Sequence, residues 1–66
     1  MAQRRMVMRI KRLRDERGLT QEQLAHKAQI SLGYLGRLET GRHDPKLSTL
    51  LKIAKALGVP VTELLE

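Results

Sequence analysis

A chain of 66 residues has room for one domain, residues 1–66, and folding at this size buries only roughly 60% of the unfolded surface. With no Cys, neither a disulfide framework nor a cysteine zinc site can staple the core, which fits a reducing cytoplasm, and His26 and His43 alone make no metal site. Thirteen Lys and Arg against seven Asp and Glu give a net charge of +6, which favours a polyanionic partner; no apolar run is long enough for a membrane span or a signal-peptide core.

The spacing predicts helix 1 over residues 4–17, because Met6, Ile10 and Leu13 share one face and Gly18 follows as a stop. Its other face carries Arg4, Arg5, Arg9, Lys11 and Arg12, which read either as a solvated stripe or as cations that attract DNA. Thr20-Gln21-Glu22-Gln23 has the form of a capping box, so helix 2 starts at Gln21 and buries Leu24, Ala25 and Ala28. Ser31 is a good N-cap for helix 3, which runs to Glu39 with Leu35 and Leu38 inward beside Ile30, and Thr40-Gly41 stops it. Arg42-His43-Asp44-Pro45-Lys46 is a surface loop. Leu47, Leu50, Leu51, Ala54 and Leu57 fit the inward face of helix 4, and Gly58 closes it. Pro60 opens a short helix 5 whose Val61, Leu64 and Leu65 close the base of the core. No stretch alternates as a strand does, so the fold class is all-α.

Leu19-Thr20-Gln21-Glu22-Gln23-Leu24-Ala25, then Ile30-Ser31, then the run from Tyr34 to Arg42, Pro45 and the segment 47–59 together resemble the phage-repressor, Cro-like (XRE-type) helix-turn-helix family of transcriptional regulators. The resemblance covers residues 8–66. It implies a compact five-helix, lambda-repressor-like DNA-binding domain whose helix-turn-helix, residues 20–39, is formed by helices 2 and 3. It further implies a sequence-specific regulator of double-stranded DNA, a repressor that lays helix 3 in the major groove and meets a palindromic operator as a homodimer. No cofactor, metal or enzyme activity is implied, and no membrane partner. The alternative within the same fold is a protein-binding module, such as the antitoxin of a toxin-antitoxin pair.

With Leu35 and Leu38 inward, Gly33, Gly36 and Arg37 face the opposite way, flanked by Leu32 and Tyr34; these five are the candidates for base contact. Arg37 carries the fork that can donate twice to guanine, Leu32 can pack on a thymine methyl, and the Tyr34 hydroxyl can reach a phosphate or base edge. For Leu32 and Tyr34 the other reading is simple packing. The two glycines either let the backbone approach the groove floor or mark positions that tolerate any small residue. The candidates for phosphate contact are Thr20, Gln21 and Ser31 at helix starts, with Arg42, His43 and Lys46 in or beside the loop. The resemblance also implies a structural ion pair between Arg14 and Glu39, and a dimer interface at Leu57, Gly58, Val59, Pro60, Val61 and Leu65. Two positions depart from the family pattern. Gln29 stands where Gly is usual in the tight turn, so either it takes a left-handed conformation or the turn differs. Lys46 is a poor cap for helix 4, unless Asp44 caps an earlier start with Pro45 as the first helical residue.

Overall fold

Leucine and small apolar residues at helical spacing, punctuated by caps, fold the chain into helices alone. The computed structural model describes residues 4–65 and contains, among them, α1 (Arg4–Glu16), α2 (Gln21–Ala28), α3 (Leu32–Glu39), α4 (Leu47–Leu57) and α5 (Thr62–Leu65). None of these is long and apolar enough to cross a membrane.

α1 buries Met6, Ile10 and Leu13 as expected, and Val7 joins them. Its arginines are not all a solvated stripe. Within the expected stripe, Arg9 Nη1 donates to the Glu63 carbonyl at 3.1 Å, and just past the helix Arg17, which is not part of that stripe, donates Nε to the Leu57 carbonyl, one of the orphan acceptors at the end of α4. α2 starts on a complete capping box: Gln23 N donates to Thr20 Oγ1 at 3.0 Å, and Thr20 N donates to Gln23 Oε1 at 2.8 Å. It stops at Gln29, which does adopt the left-handed conformation, φ 58° and ψ 43°, while Ile30 N bonds back to the Ala25 carbonyl at 3.0 Å. A side chain in this conformation costs roughly 1–2 kcal/mol. Ser31 Oγ then accepts from Tyr34 N at 3.0 Å and opens α3, which sends Leu35 and Leu38 into the core.

α4 departs from the expected pattern in two ways. Leu47 and Leu51, placed inward by the spacing, are 61% and 50% exposed, and Ile53 is fully buried in their stead. The inward face is centred on Leu50, Ile53, Ala54 and Leu57, which puts Leu47 about 70° and Leu51 about 110° off its centre. The helix also begins at Leu47 with Lys46 in the N-cap position making no side-chain cap bond, so the earlier start at Asp44-Pro45 is not used. In α5, Leu64 is fully buried but Leu65 is exposed, so only Leu64 of that pair closes the core. The helix itself begins at Thr62, with the Pro60 carbonyl accepting from Glu63 N at 3.0 Å in the turn before it.

The core gathers Ile10, Leu24, Leu35, Leu38, Ile53, Leu57 and Leu64 from all five helices. α2 lies between α3 and α4, and α1 spans α3, α4 and α5. α3 is thus supported on its inner side by α1 and α2, which leaves its outer side to solvent.

Candidate nucleic-acid interface

α3 has room for two faces only. Leu35, Leu38 and Glu39 turn inward, while Leu32, Gly33 and Arg37 are exposed and Gly36 and Tyr34 are half-buried. The Arg37 guanidinium lies back over the preceding turn, Nη1 standing 3.6 Å from where a Gly33 Cβ would sit. That is ordinary van der Waals contact. A Cβ on Gly36 would meet nothing within 4 Å, so no packing within the chain requires glycine at either place.

One carboxylate ties the end of α3 to both α1 and the start of α2. Glu39, whose side chain is 2% exposed, accepts from Arg14 Nε at 2.8 Å and Arg14 Nη2 at 3.2 Å, the two-pronged geometry in which a guanidinium fits a carboxylate best. Its Oε1 also accepts from Gln21 Nε2 at 2.9 Å. Arg14 in turn donates Nη1 to the Leu19 carbonyl at 2.7 Å. The structure therefore brings together the expected ion pair and adds Gln21 as a third member, a role that neither spacing nor capping signals. With one carboxamide proton spent on Glu39, Gln21 keeps the other, along with the backbone N–H groups of the first turn of α2. Removing one partner of a buried pair typically costs about 3–5 kcal/mol, so the end of α3 is strongly held to α1, and the Gln21 hydrogen bond adds the link to α2.

Thr20 and Ser31 use their hydroxyl oxygens as caps, and each hydroxyl still has a proton to donate outward. Arg42, His43 and Lys46 are exposed in the loop between α3 and α4. The Tyr34 ring, expected on the reading flank, packs on the core and meets the His43 ring edge to face, centroids 4.9 Å apart and planes at 78°. Nothing in a nine-residue sequence separation signals that contact. Of the expected interface residues, Gly58 and Pro60 are exposed, Val59 and Val61 are half-buried and Leu65 is exposed. Leu57 is only 2% exposed; it lies in the core and offers no surface to a partner. Leu47 and Leu51, on the other hand, form an apolar surface that the sequence assigned to the interior. Among the described residues no three His, Asp or Glu side chains converge as metal ligands do.

Residues 10–64 match the helix-turn-helix family HTH_3. The chain is 54% identical over 54 residues to the immunity repressor protein of Bacillus phage phi105, which covers 82% of this chain and 38% of that repressor. It thus spans less than half the length of that curated relative. The fold superposes on the restriction-modification controller protein C.AhdI from Aeromonas hydrophila with a TM-score of 0.89 at 35% identity, covering 91% of each chain. The master regulator for biofilm formation SinR, solved in complex with DNA, is similar with a TM-score of 0.88 at 34% identity, covering 92% of this chain and 98% of that one. With its two capped helices locked by Arg14, Glu39 and Gln21, this chain belongs to the helix-turn-helix family HTH_3 of DNA-binding transcriptional regulators.

Proposed function

We propose that the chain is a cytoplasmic repressor that binds a palindromic operator as a homodimer, with α3 of each copy in a major groove. The observation that carries this reading is the Glu39 carboxylate bound to both Arg14 and Gln21, because it fixes the start of α2 against the end of α3. A helix that reads bases must be held at a set angle to the one that grips the backbone. In this reading Arg37 donates its fork to guanine O6 and N7, and Leu32 packs on a thymine methyl. Gly33 and Gly36 let the helix backbone come close to the base edges, and Tyr34 flanks them. Thr20, Gln21 and Ser31 grip phosphates at the starts of α2 and α3, while Arg42, His43 and Lys46 grip them from the loop. The name of the phage phi105 relative, an immunity repressor, supports repression over activation.

One such domain buries only about 600–1,000 Å² of its own surface on DNA, too little for high specificity, which is the physical reason for a dimer. Gly58, Val59, Pro60, Val61 and Leu65 supply its interface. Leu47, Leu51 and Gly58 lie within about 40° of one another around the α4 axis, so the two exposed leucines extend the same side. That apolar surface equally suits a protein partner of another kind.

Selection of bound sites from random duplexes tests the whole reading. A palindrome with half-sites about one helical turn, or a multiple of it, apart is the expected result. Binding with no sequence preference overturns the operator reading and leaves a role in coating DNA or in binding protein.

A further inference from the structure

Tyr34 touches two parts of the fold at once. Its ring rests on the core cluster from the outer side of α3, and it meets the His43 ring in a T-shaped pair with centroids 4.9 Å apart. Such pairs are favourable beyond the area they bury, because the positive edge of one ring meets the negative face of the other. We propose that Tyr34 is a positioning residue for the loop between α3 and α4, holding His43 so that Arg42 and Lys46 are already placed for phosphates before DNA arrives. This rests on the reading above that the loop grips phosphates.

The ends of the loop are tied through the backbone. Arg42 N donates to the Arg37 carbonyl at 2.9 Å, and the Lys46 carbonyl accepts from Leu50 N at 3.0 Å. Between them, the His43 ring on Tyr34 ties the middle of the loop to the helix proposed to read bases. Fixing a free loop residue costs backbone entropy, and a loop fixed beforehand does not incur that cost on binding. The brace also makes the reading helix and the phosphate grip a single rigid piece. A shift of one then moves the other, and register on the duplex is kept.

A fluorescent duplex of random sequence is a suitable probe, because the phosphate contribution to binding is independent of sequence. Affinity is measured over a salt series for the wild type, Tyr34→Phe, Tyr34→Ala, His43→Phe, His43→Ala, the double alanine variant and Arg42→Ala. Thermal melting of each accompanies the binding data. Tyr34→Phe keeps the ring pair and is expected to bind within a factor of two or so of the wild type, whereas His43→Phe keeps the pair but gives up the imidazole proposed to grip a phosphate, and is expected to bind between the wild type and His43→Ala. His43→Ala, at an exposed loop position, is expected to melt a few degrees below the wild type, still fully folded at the temperature of the binding assay, while binding roughly three- to tenfold more weakly. The double alanine variant is expected to bind no worse than the weaker single one, since either change alone removes the brace. Wild-type binding by His43→Ala, loss of binding in His43→Phe equal to that in His43→Ala, or a double loss equal to the product of the single losses each overturns the brace. Arg42→Ala reports separately on the phosphate reading. Its slope of log affinity against log salt is expected to fall by about 0.9. An unchanged slope overturns that reading and the brace with it, whereas a normal fall beside wild-type binding by His43→Ala overturns the brace alone.

Discussion

A guanidinium that reads guanine gives up two hydrogen bonds to water for two to one base, and only the planar fork of arginine meets both acceptors at once. In the proposed reading Arg37 makes that exchange; it is exposed on α3, its side chain lying over a residue that has no side chain to obstruct it. Arg37→Lys keeps the charge and loses the fork, so it separates base reading from simple attraction. We expect it to weaken operator binding by about 1–3 kcal/mol while leaving binding to unrelated duplex nearly unchanged, measured by competition titration. Gln29 raises the opposite question, a residue whose conformation is costly and whose side chain is exposed. Gln29→Gly relieves the left-handed strain and is expected to raise stability by about 1 kcal/mol, read from urea denaturation.

At the scale of the helix, the start of α4 sets folding against function. Lys46 occupies a position where Ser, Asp or Thr would satisfy an orphan amide, yet it makes no cap bond. Lys46→Ser is expected to raise stability by about 1 kcal/mol and, by removing a phosphate contact, to lower the salt slope of DNA binding by about 0.9. A gain in melting temperature with unchanged salt dependence would show that Lys46 touches no phosphate. The helices themselves were legible because their signals are local: the box at Thr20, the cap at Ser31 and the spacing of Met6, Ile10 and Leu13 each lie within a few residues. α4 was misread on one side because it has more leucines than its inward face can hold, and spacing alone does not fix where that face is centred. Gln21 on Glu39 and Tyr34 on His43 were illegible for a different reason. Each pairs side chains distant in sequence, and their meeting is decided by how the helices cross.

For the whole molecule, the exposed leucines of α4 bear on assembly. Leu51→Glu removes an apolar contact from each copy of the proposed dimer while leaving the monomer core untouched. We expect the monomer to melt within a degree or two of the wild type, and two-site operator binding to weaken about 100-fold, from roughly 1.5 kcal/mol lost per copy. Sedimentation with and without DNA distinguishes this outcome from a simple loss of DNA contact, since binding to an isolated half-site is expected to remain. Wild-type assembly by Leu51→Glu would remove Leu51 from the interface.

Arginine side chains hook the first helix and its closing turn to the three elements beneath it: Arg9 to α5, Arg14 to α3 and Arg17 to the end of α4. Between Arg9 and Arg17 the strap is fastened at three points, so loss of one tie leaves two in place. The amide protons in the middle of α1 are expected to exchange with deuterium only when the entire domain opens, at the same free energy as those of α4. The four-residue α5, too short to persist alone, is held to the rest by buried Leu64 and by Arg9, and its amide protons are expected to exchange at the same free energy.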